Sequence, residues 1–181
     1  MRFIPTPLSG AYLIELEKKL DDRGFFARFY CANEYNNLNL DTNIVQINNS
    51  YSSYKATLRG IHYQLAPNAE TKIIRCIKGS LYDVVVDLRK ESPTFLKWYG
   101  AELNEDNRYM LYVPKGFGHA FITLADNTEA LYLVTEFYNS ERERGIKWDD
   151  PLINIKWPIN PAVISEKDQK HPYFNEEYHL R

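Results

Sequence analysis

A chain of 181 residues with 44% hydrophobic and 14% aromatic content is long enough for one domain with a full core and short for two, so residues 1–181 are expected to form a single domain. A formal net charge of -2 and a pI near 6.1 exclude a global field for nucleic acid or an anionic membrane, and leave anion binding to local clusters of Arg and Lys. With only two cysteines, Cys31 and Cys76, a disulfide scaffold is excluded; both are expected to be small buried thiols in a reducing compartment.

The start, Met1-Arg2-Phe3-Ile4-Pro5, lacks the apolar run of a signal peptide, and no later stretch approaches the roughly 18 to 20 apolar residues that span a bilayer, so a soluble cytoplasmic protein is expected. Taken in chain order, the first helix signal falls on Ala32 to Leu38, followed by strand signals over Asn43 to Asn49 and Arg59 to Leu65. The clearest hairpin pattern joins Lys72 to Ile77 and Leu81 to Leu88 through Lys78-Gly79-Ser80, where glycine supplies positive φ. In its second strand Tyr82, Val84, Val86 and Leu88 share one face, while Asp83, Val85 and Asp87 share the other, which must be a polar interior or solvent. Arg108 to Val113, Ala120 to Leu124 and Glu129 to Phe137 read as further strands, with turns at Ser92-Pro93-Thr94 and Ala125-Asp126-Asn127 between them. A last short helix is expected over Lys167 to Lys170. Many short strands with scattered turn signals and only short peripheral helices predict an all-β sandwich or jelly roll.

Pro114-Lys115-Gly116-Phe117-Gly118-His119 resembles the second motif of the cupins, in which a tight turn feeds a strand whose histidine points into the barrel. Metal-binding cupins add two histidines from an earlier strand, but here that strand reads His62-Tyr63-Gln64. Of the four histidines, His171 and His179 lie in a C-terminal stretch expected to be peripheral, so no catalytic metal is expected. What remains inside the barrel is His62, Lys72, Asp83, His119 and Tyr132. A base, a cation and a second acid are what epimerisation beside a ketone requires, and His62, Lys72 and Tyr132 can fill those roles. The alternative is a polar core in which each group only satisfies a neighbour.

Longer strings carry a more specific signal. Thr57-Leu58-Arg59-Gly60-Ile61-His62-Tyr63-Gln64, Tyr82 to Arg89, Glu91-Ser92-Pro93-Thr94, Tyr112 to Phe121, Gly145 to Pro151 and Ser165-Glu166-Lys167-Asp168 together resemble the dTDP-4-dehydrorhamnose 3,5-epimerase family, from about Asp21 to Pro172. The resemblance implies a cupin-type double-stranded β-helix, a homodimer, and catalysis on a nucleotide-diphosphate sugar without metal or organic cofactor. It implies that His62 is the base and Asp168 orients it, that Tyr132 is the acid on the other face, and that Lys72 stabilises the enolate. It also implies substrate contacts at Arg23, Phe26, Arg28, Gln46, Asn48, Arg59, His119, Tyr138, Glu143 and Lys167.

Two departures stand out. Arg28 occupies a position where the family usually has Glu, a charge reversal expected to alter nucleotide contacts and to leave room for a CDP- or other NDP-sugar; Leu133 stands where a basic residue is frequent. Arg59 and His62 are three apart and would face opposite ways in a flat strand, so serving one site requires a bulge at Gly60. The competing readings are an epimerase of C3 or C5 alone, a non-catalytic sugar-binding cupin, and a metal-dependent cupin.

Overall fold

The computed structural model describes residues 1–181. In chain order it contains strands β1 (Arg2–Pro5), β2 (Tyr12–Glu15), β3 (Lys19–Asp21) and β4 (Gly24–Phe26), then helix α1 (Ala32–Asn36). Eight strands follow, all but β10 longer than these: β5 (Gln46–Ser52), β6 (Thr57–Gln64), β7 (Lys72–Lys78), β8 (Ser80–Asp87), β9 (Trp98–Asn104), β10 (Met110–Val113), β11 (Phe117–Thr123) and β12 (Thr128–Val134). The chain ends with β13 (Glu143–Gly145), β14 (Val163–Ile164), α2 (Glu166–Gln169) and α3 (Glu176–His179). No helix is long and apolar enough to cross a membrane.

Two sheets form the body. One has the order β1-β2-β10-β7-β12-β5 and the other β13-β6-β11-β8-β9, with β14 added parallel to β6. Consecutive strands repeatedly fall in opposite sheets, which is the winding of a jelly roll. The expected β7–β8 hairpin is corrected here: β7 pairs with β10 and β12, whereas β8 pairs with β9 and β11. Gly79, at φ +74, carries the chain from one sheet to the other, and a Cβ there would meet the Thr128 hydroxyl at 2.7 Å. Alternation within a strand tells which residues share a face, but not which strand lies alongside.

The alternation in β8 has a clear outcome. Leu81 and Val85 join Ile74, Phe117 and Phe121 in the core between the sheets, while Val86 and Leu88 pack outward against Ile61, Ile146 and Ile153. Asp83 and Asp87 are fully buried on the inner side. Asp87 accepts from Arg89, Ser92 and Thr94 at 2.7, 2.5 and 2.6 Å, so one buried carboxylate fixes the turn that follows β8. A third cluster, including Ile73, Met110, Tyr112 and fully buried Tyr35 from α1, covers the outside of the other sheet. Leu133 is buried in that cluster, which gives a physical reason for an apolar residue there. The two histidines of the C-terminal stretch are not peripheral: His179 is fully buried and stacks on Phe174, and the His171 side chain is only 12% exposed. Cys76 is buried, with its thiol pushed up to about 11 chiefly by that burial, but Cys31 is only half-buried.

The bulge expected at Gly60 is present. His62 lies opposite His119, and Arg59 opposite Phe121, so three steps along β6 match two along β11. Gly60 has φ +120, and a Cβ there would come within 2.5 Å of the Ala120 side chain and 2.6 Å of the His119 carbonyl oxygen. Gly60→Ala is therefore expected to cost at least about 2 kcal/mol in denaturant unfolding, from backbone strain and overpacking together. A cost under about 0.5 kcal/mol would contradict this account of the bulge.

Candidate active site

The bulge turns both Arg59 and His62 toward a cavity of about 510 Å³ between the sheets. Behind His62 the chain returns along β14 and enters α2, whose first turn is capped by Ser165: its Oγ accepts the Asp168 N–H at 3.1 Å. This places Asp168 Oδ1 2.8 Å from His62 Nε2, while Asp168 Oδ2 accepts the Gly60 N–H at 3.1 Å. Asp168 is 3% exposed. Burial alone would raise its carboxyl, but the contacts of His171 and His62, the His62 charge and the Gly60 amide outweigh that and hold it well below the usual carboxylate range. An ionised carboxylate on Nε2 keeps the proton on that nitrogen and leaves Nδ1 of His62 free as a base.

Tyr132 and Lys72 line the same cavity from the facing sheet, on β12 and β7. Burial first, and the Glu70 charge second, raise the Tyr132 phenol against the smaller opposing effect of Arg59, so it remains protonated at neutral pH and can donate. Lys72 Nζ lies 2.9 Å from Glu70, with both side chains 13% exposed. An adjoining recess of about 250 Å³ shares His62, Lys72 and Tyr132 and extends to Gln46 and Asn48, which hydrogen-bond each other at 2.7 Å. At its edge Glu143 accepts from Lys167 at 2.6 Å and Tyr138 at 2.9 Å. Despite its burial, these two bonds lower the Glu143 carboxyl, and the same bonds raise Lys167 and Tyr138.

His119, on β11, enters the cavity with Nε2 2.8 Å from Asp83. Arg59 is held by the Tyr51 carbonyl at 3.0 Å and Ser52 Oγ at 3.3 Å. Together with Lys72 and Lys167 these groups surround the cavity with cationic and hydrogen-bonding side chains suited to phosphate oxygens. Three candidates lie elsewhere. Arg23 pairs with Asp21 on the exposed β3–β4 hairpin, Phe26 is 69% exposed, and Arg28 pairs with Glu34 at 2.7 Å, none of them lining this chain's cavity.

Two residues at the site escaped sequence reasoning. Glu70 stands two before Lys72, a spacing that puts extended residues on one face. His171 follows Asp168 by three, a spacing that brings side chains together at a helix end, and sits 3.6 Å from its carboxylate. His62, Asp168 and His171 each offer a potential ligand atom to a metal ion, all within 4.8 Å of one another. In this arrangement the closest pair of those atoms is a hydrogen bond, His62 to Asp168.

The family model described as dTDP-4-dehydrorhamnose 3,5-epimerase matches residues 5–176. The protein of that name from Sinorhizobium fredii is 43% identical over 173 residues, covering 95% of this chain and 89% of its own. The crystal structure of the protein so named from Elizabethkingia anophelis superposes with a TM-score of 0.95 at 40% identity, covering 99% and 98% of the two chains. The Bacillus anthracis structure, with TDP and PPi bound, gives 0.91 at 42% identity, covering 96% and 99%. A 3'-monoepimerase from Streptomyces bikiniensis, in complex with dTDP-quinovose, gives 0.85 at 31% identity, covering 93% and 86%.

Proposed function

Because the chain belongs to the dTDP-4-dehydrorhamnose 3,5-epimerase family, we propose that it inverts C3 and C5 of dTDP-4-dehydro-6-deoxy-D-glucose to give dTDP-4-dehydro-L-rhamnose. The observation that carries this reading is the pairing across one cavity: a histidine on one sheet, backed by a carboxylate from α2, and a protonated phenol and an ammonium on the other sheet. His62 Nδ1 takes the proton beside the C4 ketone, and the bonding pair moves into an enolate whose oxygen the Lys72 ammonium stabilises. Tyr132 returns a proton to the carbon from the opposite face. Before the second carbon reacts, His62 loses its proton to solvent and the phenolate regains one, so each inversion is neutral overall. Base, cation and acid all come from the chain, so the reaction calls for no metal or organic cofactor.

Arg59, His119 and Lys167 contact the diphosphate, while Gln46, Asn48, Tyr138 and Glu143 contact the nucleoside side of the substrate. In this reading the whole of residues 1–181 acts as one domain in the cytoplasm, where free thiols are stable. The chain works as a homodimer. Supporting this, the β3–β4 hairpin projects Leu20, 80% exposed, and Phe26 away from their own core, and the edge strand β5 exposes Ile47 and Tyr51. Arg23, Phe26 and Arg28 then serve the cavity of the second copy. If so, mixing inactive His62→Ala with inactive Arg23→Ala chains under exchange restores about one quarter of wild-type activity, since half the dimers are mixed and each has one intact site. Absence of recovery would place Arg23 outside the shared site.

A 3'-monoepimerase on the same fold favours one second reading, inversion at C3 alone. Borohydride trapping of the equilibrated product separates the two. Double inversion yields 6-deoxyhexoses of the L series, whereas C3 inversion alone gives C3-epimeric 6-deoxyhexoses of the D series, and recovery of only the 6-deoxy-D-gluco and D-galacto products of direct reduction would refute both.

A further inference from the structure

The mechanism above uses His62 and Asp168 but leaves His171 without a role. Its Nε2 lies 3.6 Å from Asp168 Oδ1, the same oxygen that His62 Nε2 meets at 2.8 Å. The two rings meet edge to face, with centroids 5.5 Å apart at 77°. His171 Nε2 is buried and has no hydrogen-bond partner at shorter range, a costly state for a ring nitrogen unless it faces a charge, and the charge it faces is Asp168. Room for the ring comes from Gly145, where any Cβ would overlap it. Gly145 is also the residue paired with His62 across β13 and β6, so the backbone partner of the base is the position that admits the second imidazole.

We propose that His171 is a positioning residue for the epimerisation, sharing the Asp168 carboxylate with His62, holding that carboxylate in place, and limiting how strongly it favours the protonated base. This rests on His62 being the base. A carboxylate devoted to one imidazole stabilises its protonated form fully; a second N–H facing the same oxygen draws off part of that charge. The chemistry gives this a purpose. A base that must act at two carbons in succession has to release its proton between them, and over-stabilising the imidazolium slows that release.

The other ionisable groups around the two rings come from every neighbouring element. They are Arg59 on β6, Lys167 on α2, Glu143 on β13, His119 on β11, Lys72 and Tyr132 on the facing sheet, and Glu70 in the loop before β7. Behind the rings, His179 contacts the Gly145 carbonyl at 3.2 Å, and Arg144 and Lys147 flank that glycine. None of these groups is itself altered when His171 alone is replaced, so a change in His62 titration in a folded variant is assignable to that replacement.

The test compares wild type, His171→Phe and His171→Gln by NMR titration of the His62 ring and by the pH profile of kcat/KM for deuterium exchange. Phe removes the donor and keeps the bulk, and His62 is expected to titrate about 0.5 to 1 pH unit higher, carrying the acidic limb with it. Exchange at pH 5.5 then falls about 3- to 10-fold, while at pH 8 it changes less than about twofold. Gln, which keeps an N–H, is expected to restore most of the wild-type profile. If titration and limb both stay within about 0.2 unit of wild type in folded Phe and Gln variants, His171 only fills space and the proposal is overturned, whatever the change in thermal stability. Should His171→Phe not fold, the smaller His171→Leu gives the same readout. The titration needs no substrate, so failure of the epimerase reading, seen as no exchange in wild type, is distinct from failure of this one.

Discussion

Replacing His62 with alanine is expected to suppress deuterium exchange at both sugar carbons by about 1,000-fold or more, while nucleotide-diphosphate binding weakens by less than about threefold. Its far nitrogen is fixed by a buried, ionised carboxylate, leaving the near nitrogen to accept a proton. Its removal takes away the base and leaves Arg59, Lys72, His119 and Lys167 around the cavity. Since both carbons flank the same ketone, one base serves both, and the two exchange rates fall together. Strong residual exchange at either carbon would mean that a second base operates there, with His119, held by Asp83 at 2.8 Å, the first to test.

Tyr132→Phe is expected to separate two events that His62→Ala removes together. Without the phenol, His62 still abstracts and returns a proton on its own face, so deuterium enters with retention and the exchange rate falls less than about tenfold. Net inversion requires delivery from the facing sheet and falls about 100-fold or more. The phenol is protonated at neutral pH, as a tyrosine ordinarily is, and burial moves it further in that direction. Equal losses of exchange and inversion would show that Tyr132 supports the cavity as a whole and is not the acid of the second face.

How much of this was legible in the sequence depends on the range of the interactions involved. The β8 alternation is local, and it correctly separated Asp83, Val85 and Asp87 from Val84, Val86 and Leu88. Pairing is not local, and for that reason β7 and β8 read as a hairpin although they belong to different sheets. Strand β9 escaped notice because Gly100 interrupts its apolar pattern; the glycine is needed there, since a Cβ would run into the Tyr82 ring. Short β1 and β2 offer too few residues for a period-2 signal.

At the site, once the resemblance placed Arg59 and His62 in one site, the bulge followed from geometry, because the two could share a face only if Gly60 broke the alternation. Asp168 is 106 residues from His62, and its place is set by the parallel pairing of Val163 and Ile164 with Thr57 and Leu58, which no local pattern reveals. Only the resemblance pointed to it. His171 was set aside as peripheral for the same reason, since its burial depends on Gly145 arriving beside it from a distant strand. Arg23, Phe26 and Arg28 are a different case. Nothing within one chain draws them to the cavity, as a residue that serves a second copy would require.

The central claim is that this chain, using its own side chains, exchanges and inverts the protons on both sides of the C4 ketone. NMR of dTDP-4-dehydro-6-deoxy-D-glucose with pure, chelator-treated protein in D2O, following C3 and C5 separately, tests it most directly. Deuterium at both carbons, with the product in the L series, is the predicted result. Exchange at neither carbon, or activity that returns only when a divalent metal is restored, would contradict it.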